Sequence, residues 1–253
     1  MLRVDMDGAV LRLTLDRPEV RNAFNDELIA KLTDAVASAP AEIRAIVIAG
    51  EGKAFCAGGD LEWMRRAADY TEEQNYQDAM LLGGLFETVA SSPACVIAQV
   101  HGAAFGGGAG LVASCDVAVA QEGTLFAFSE ARLGLVPATI SPFVLPKIGQ
   151  GNARWLYATA EAFDAGVAQR IGLVHEVAAE GNLAETVDRK VACVLGNGPA
   201  AVALCKRIAL EGAMPMSEAA RLLARARASA EGKEGVAAFL EKRPASFKTE
   251  TGR

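Results

Sequence analysis

Histidine and paired cysteine are scarce in this chain of 253 residues: there are two histidines, at 101 and 175, and five cysteines, at 56, 95, 115, 193 and 205. No C-x-x-C pair occurs and the histidines are few, which argues against a zinc centre, and the apolar surroundings of the cysteines read as reduced core thiols rather than disulfides or a metal site. There is no run of Lys and Arg, and the net charge is −6, which argues against nucleic acid as a partner. The first residues, MLRVDMDGAV, lack the basic and then apolar order of a secretory signal, and nothing reaches the roughly 18 uninterrupted apolar residues of a membrane span. Residues 94–120 come nearest, but Gln99, His101, several glycines and Asp116 interrupt them. The cytoplasm is the expected location. What the chain has in quantity is apolar residues, 51% of the total, enough to bury a substantial core in one domain, with or without a helical appendage.

The stretch from Pro93 to Ala120, PACVIAQVHGAAFGGGAGLVASCDVAVA, organises the rest. Ala94 to Val100 reads as a buried strand, His101-Gly102 ends it, and Gly106-Gly107-Gly108 opens a short helix. A helix start leaves backbone N–H groups without partners, and glycines let a ligand approach them. The pattern fits neither G-x-G-x-x-G nor a P-loop, which removes nucleotide phosphate as the first choice. The remaining chemical use of such a turn is to hold a carbonyl oxygen as it becomes an oxyanion, and that takes a second donor. Close packing of a small helix on a sheet accounts for the glycines equally well.

A second glycine turn supplies the candidate donor. Ile43 to Ala49 is a near-continuous apolar run suited to an interior strand, followed by GEGKAFCAGGD from Gly50 to Asp60 and a helix over Leu61 to Ala68. If the two strands are neighbours, both turns emerge at one sheet edge. Around them the chain reads as a hairpin, Leu2 to Met6 and Val10 to Asp16 about Asp7-Gly8, and a helix capped by Asn25 with Leu28, Leu32 and Val36 on one face. Thr71-Glu72-Glu73-Gln74 is a capping box opening a helix to about Ala90. Strands are expected at Asp116 to Ala120, Phe126 to Phe128 and within Gly172 to Val177. Ser141-Pro142 reads as a cap with proline at the first helical position, residues 153–160 as helix, and Asp164 as a further cap. From Leu183 every signal is helical, over 183–195, 199–211, 216–230 and 235–242, punctuated by Gly198-Pro199, Pro215 and Gly232. An α/β core with a helical tail results.

Glu130 is the acid to single out, since Phe126, Phe128, Leu133, Leu135 and Val136 surround it in sequence. Apolar surroundings disfavour the charged form of a carboxyl, which suits a group exchanging protons near neutral pH. An ordinary acid in a first helical turn, favoured by the helix dipole, is the competing reading.

The segments LTLDRPEVRNAFN, AFCAGGDL, VHGAAFGGGAG, SCDVAVA, SEARLGLVPATISPF and AFLEKRPASF, in this order from about Val10 to Phe247, resemble the crotonase family, the enoyl-CoA hydratases and isomerases. The resemblance implies a spiral of repeated ββα units over residues 1–195, a C-terminal helical oligomerisation region over 196–253, and a homotrimer or a hexamer built as a dimer of trimers. It implies an acyl-CoA substrate in fatty-acid or branched amino-acid catabolism and no cofactor, coenzyme A being part of the substrate. By resemblance the N–H groups of Gly59 and Gly107 form an oxyanion hole and Glu130 protonates the α-carbon. Ala57 and Gly110 fall to substrate binding, and Arg21, Lys53 and Lys242 to the coenzyme A phosphates, Lys242 across a subunit boundary; each cation also reads as solvated surface.

One position departs from the pattern. Typical hydratases of the family carry a second glutamate three residues after the middle glycine, and here that residue is Gly110. Glu130 then handles both water and proton, or another acid such as Glu62 or Glu87 supplies the base. The glycine is expected to leave room for a bulky or carboxylated acyl group, with Arg65, Arg66 or Arg132 as conceivable counter-charges. SEARLGLVPATISPF most resembles bacterial hydratases of branched, carboxylated substrates such as 3-methylglutaconyl-CoA. Gly110 favours the isomerase alternative, in which one acid/base moves a proton between carbons, and a non-catalytic acyl-CoA binder is the third reading.

Overall fold

A computed structural model describes residues 1–249; the last four residues of the expected helical tail, 250–253, lie outside the described residues. The N-terminal hairpin forms from β1 (Leu2–Asp7) and β2 (Val10–Leu15). Val10, Leu11, Leu13 and Leu15 of β2 are buried while Arg12 and Thr14 are half-buried, the alternation expected of a strand. Then follow α1 (Asp26–Ala37), β3 (Ala45–Gly50), α2 (Leu61–Ala67), α3 (Glu72–Ser91) and β4 (Cys95–Val100). The Asn25 side chain caps α1, and Thr71 and Gln74 complete the capping box of α3. After β4 come β5 (Ala103–Phe105), α4 (Gly107–Ser114), β6 (Val117–Gln121), β7 (Leu125–Ala127), a 3-10 turn over Glu130–Leu133, and α5 (Ser141–Thr159). The chain closes with β8 (Phe163–Asp164), α6 (Ala165–Arg170), β9 (Glu176–Ala178), α7 (Leu183–Leu195), α8 (Pro199–Glu211), α9 (Met216–Ala228) and α10 (Ala230–Leu240).

Six strands make one sheet in the order β1-β2-β3-β4-β6-β9, antiparallel only between β1 and β2. Both faces are covered, which explains the continuous apolar character of the central strands. Ile46 and Ile48 of β3, with Val96, Ala98 and Val100 of β4, pack into the larger core beside α1, α3 and α4. Ala45, Val47, Cys95 and Ile97 face the other way, onto Leu183, Val187, Val191 and Leu195 of α7.

β3 and β4 are parallel neighbours, with Ala45 opposite Cys95, so the two glycine turns leave one edge of the sheet together. A second sheet of three strands, β5-β7-β8, stands there as well; β5 and β8, three and two residues long, are too short to show a strand pattern in sequence. Two helix ends also differ from expectation. Residue 140, not Ser141, caps α5, and the Ser141 hydroxyl donates to the Pro137 carbonyl at 2.6 Å. Gly232 lies inside α10 and donates its N–H to the capping Ser229 hydroxyl at 2.9 Å. Of the five free cysteines, Cys56, Cys95 and Cys115 are buried as expected, whereas Cys193 and Cys205 are exposed.

α8 is tied to the core through charge. Lys206 Nζ lies 2.7 Å from Asp116 Oδ2, and the same oxygen accepts the Val96 N–H at 2.7 Å. This bond fixes where β6 starts beside β4.

Candidate active site

The loop between β3 and α2 is held from both sides by backbone hydrogen bonds. On one side Phe24 donates its N–H to the Gly58 carbonyl at 2.7 Å and accepts the Asp60 N–H at 2.8 Å. That is a parallel bridge between Phe24 and Gly59, and its geometry leaves Gly59's own N–H and C=O directed away from Phe24. On the other side Cys56 donates to Ala103 O at 3.1 Å and accepts the Phe105 N–H at 3.0 Å, which couples the loop to β5 immediately before the second glycine turn.

Side chains that belong to no recognisable sequence motif secure this arrangement. Asn22, fully buried, donates from Nδ2 to Glu51 O at 2.9 Å and Ala54 O at 2.8 Å, and accepts the Arg17 N–H at 2.8 Å. Arg17 in turn donates to Ala23 O and, at 2.7 Å, to Asp60 Oδ2. The other oxygen of Asp60 caps α2, accepting the Glu62 N–H at 2.8 Å and the Trp63 N–H at 3.4 Å. Burial pulls the Asp60 carboxyl upward, but Arg17 and these N–H groups outweigh it and hold it below its ordinary value. No local signal marks them: Arg17 and Asn22 stand among Asp16, Glu19, Arg21 and Asn25, and Asp60 two residues before Glu62.

The second turn begins at Gly106, whose N–H donates to Ala127 O at 2.8 Å. Its backbone, φ 49° and ψ −118°, is one that glycine adopts freely and other residues do not. Gly107 follows as the first residue of α4, where an N–H has no intrahelical partner, and it is half-exposed between buried neighbours, as Gly59 is. Phe24 touches both turns: its backbone bridges Gly59, and its ring carbon Cδ2 stands 3.2 Å from where a Cβ on Gly107 would be.

Glu130 comes to the same place from β7. Its Oε1 lies 3.4 Å from the position a Cβ on Gly106 would take. The other oxygen, Oε2, is buried with no hydrogen-bond partner among the described residues. Burial pushes this carboxyl above its ordinary value, partly offset by its own backbone N–H. Tyr157 stands close enough that, after burial, the Glu130 charge also raises it, and its hydroxyl meets Ser141 Oγ at 3.2 Å.

Beside these groups opens a cleft of about 930 Å³, walled by Trp63, Met64 and Leu82 on one side and Leu133, Leu135 and Val136 on the other. Trp63 and Met64 also pack against Gly59, within 3.6 Å of where its Cβ would be. The arrangement offers two N–H groups on adjacent turns, a half-buried carboxyl whose inner oxygen has no partner among the described residues, and an apolar cleft leading away. It can hold an oxyanion, move a proton and house a hydrocarbon chain.

The other expected site residues divide. Ala57 is in the loop, its N–H on Arg21 O at 3.0 Å, so Arg21 and Ala57 are neighbours; Arg21 and Lys53 are exposed at this rim. Lys242 is exposed at the end of α10, whose helical neighbours are α8 and α9. Glu62 and Glu87 are exposed and do not line the cleft, nor do Arg65, Arg66 and Arg132; Arg66 pairs instead with Asp26 at 2.9 Å. Gly110 requires a correction. No room is left beside it: a Cβ there would overlap Ile140 Cγ2 and stand 2.9 Å from Ile140 Cβ and 3.2 Å from Phe86 Cζ. The space of a second acidic side chain is occupied by Ile140 and is closed to an acyl group.

Fold and site together have the parts that an enzyme polarising a carbonyl with backbone donors beside a proton carrier would need. The sequence matches the family model for enoyl-CoA hydratase/isomerase over residues 5–250. It is 34% identical over 249 residues to a crotonyl-CoA hydratase of Syntrophomonas wolfei, covering 93% of each chain. The fold superposes on Pseudomonas aeruginosa AtuE with a TM-score of 0.94 at 35% identity, covering 98% of this chain and 99% of that one. It also superposes on an enoyl-CoA hydratase of Mycobacterium smegmatis with a TM-score of 0.92 at 34% identity and the same coverage. The chain belongs to the enoyl-CoA hydratase/isomerase family and has the crotonase fold.

Proposed function

We propose that this enzyme adds water across the 2,3 double bond of an enoyl-CoA with an uncharged, branched acyl group. The observation that carries the reading is the Glu130 carboxyl against Gly106, one oxygen buried without a partner among the described residues, one residue from the Gly107 N–H. In this reaction Glu130 takes a proton from water as the water oxygen bonds to C3. The π electrons move onto the thioester oxygen, where the Gly59 and Gly107 N–H groups hold the resulting enolate, and Glu130 returns a proton to C2. One carboxyl serves both steps, in keeping with a raised affinity for protons. The wide, largely apolar cleft supports a branched chain, whereas a terminal carboxylate such as that of 3-methylglutaconyl-CoA would find no cation among the described residues that line it.

A second reading has its own support. Ile140 fills the place of the usual second acid, and a Δ3,Δ2-enoyl-CoA isomerase needs only one carboxyl, to take a proton from C2 and return one to C4. Ultraviolet absorbance of the conjugated thioester separates the two. Loss of conjugation on crotonyl-CoA or a branched enoyl-CoA, abolished in Glu130→Gln, supports hydration. A gain of conjugation on a 3-enoyl-CoA alone supports the isomerase, and saturable binding of acyl-CoA with no reaction on any of them would make the protein a binder.

A further inference from the structure

One wall of the acyl cleft has little hold on the core. Trp63, Met64, Asn75, Asp78 and Leu82 line it, and none of residues 61–82 is buried, whereas Leu85, Phe86, Val89 and Ala90 at the other end of α3 all are. The stretch 61–82 is knit chiefly to itself. The Trp63 indole N–H donates to Asp78 Oδ1 at 3.1 Å, and the Asn75 amide donates to the carbonyls of Tyr70 and Thr71, each at 3.2 Å. Outward it holds by the Asp60 cap, by the exposed ion pair of Arg66 with Asp26, and by half-buried Trp63, Met64 and Leu82 against the core and Gly59.

Gly83 and Gly84 stand where the unburied part of α3 meets the buried part. A close neighbour or a positive φ is the usual reason for glycine inside a helix, and neither applies. A Cβ on either residue would meet nothing within 4 Å, and neither is among the glycines with positive φ. Each glycine weakens its helix about fivefold relative to alanine. One turn on, Thr88 Oγ1 donates to the Gly84 carbonyl at 2.7 Å, a back-bond of the kind that loosens and bends helices. The helix is therefore weakest where it passes from core to cleft wall.

Resting on the reading that the acyl chain lies in this cleft, we propose that Gly83-Gly84 is a hinge on which residues 61–82 swing away from the facing loop, 133–139, to admit acyl chains wider than the cleft. The pair then sets which substrates enter without touching them, remote from the proton transfer.

The double variant Gly83→Ala with Gly84→Ala tests this, since both methyl groups fall in open space. Its melting temperature should rise by about 2–4 °C for each glycine replaced. Stopped-flow tryptophan fluorescence should show cyclohexylacetyl-CoA associating about tenfold more slowly than with wild type, most of the two fivefold factors, while butyryl-CoA associates at an unchanged rate. Hydrogen exchange of the wild type should be faster over 61–82 than over 85–90, and the variant should slow the former alone. An unchanged ratio of the two association rates, or uniform exchange across the glycines, would overturn the hinge and leave the acyl-CoA reading in place. A lower mass of the variant by light scattering would overturn it too, by assigning the glycines to packing against a second copy. Failure of the wild type to bind either thioester would remove the acyl-CoA reading and the proposal together.

Discussion

The Glu130 carboxyl rests on Gly106, its Oε1 3.4 Å from where a Cβ on that glycine would be. The carboxyl proposed to carry the proton and the start of the helix proposed to hold the oxyanion are thus a single packed unit, and a change at either is felt at both.

Replacing Glu130 by Gln should lower turnover by about 10²- to 10⁴-fold, the usual contribution of a positioned acid/base, with circular dichroism unchanged. The same variant should be more stable than wild type near neutral pH. Burial raises the folded-state value above that of the unfolded chain, so the wild type loses stability as pH rises from the unfolded value, about 4.3, through the raised folded one. Below the unfolded value the two proteins should unfold alike, which urea titrations in acid and at neutrality will check.

Restoring a side chain at Gly110 should not restore a second acid. Gly110→Ala is expected to lose about 1–3 kcal/mol through overpacking against Ile140, and Gly110→Glu to lose more. Combining Gly110→Ala with Ile140→Ala should recover part of that loss, so the double variant should be more stable than the two single effects summed. Chemical denaturation of the four proteins gives the cycle.

Asp60→Ala should lower stability by about 2–4 kcal/mol, because it removes a helix cap and leaves Arg17, with 13% of its side chain exposed, without its carboxylate. Turnover should fall as well, through the position of Gly59. The Asp60 carboxyl is held below its ordinary value, so its contribution is present above the unfolded value of about 3.9 and fades as pH falls through the folded one. The gap between variant and wild type in thermal unfolding should close accordingly in acid.

The C-terminal helices expose large apolar side chains, with Phe239 at 82%, Leu240 at 73% and Met216 at 82% accessible in the single chain. An assembly of three or six copies of the 26.4 kDa chain is the expected solution state by light scattering. Phe239→Glu should shift the mass toward one copy; a wild-type monomer at working concentration would refute the expectation.

Where the sequence was readable and where it was not follows from how each feature is encoded. Alternating Leu11, Leu13 and Leu15, the Thr71 to Gln74 capping box, and the apolar runs of β3 and β4 are local patterns, and the elements appear where those patterns lie. The convergence of the glycine turns depended on β3 and β4 being neighbours, which sheet pairing decides and local sequence does not. Gly110 shows the limit most clearly: its surroundings are set by Ile140, thirty residues on, so an apparent vacancy in sequence is a filled site in space.

Cys56 lies at 0% exposure in the loop that carries Gly59, and burial pushes its thiol up to about 12. Thiol-directed reagents act on thiolate, so alkylation near neutral pH should stop at the exposed Cys193 and Cys205. Those two positions are therefore usable attachment points for a fluorophore or spin label on the helical tail, and the loop that carries Gly59 needs no cysteine removed before the molecule is tagged.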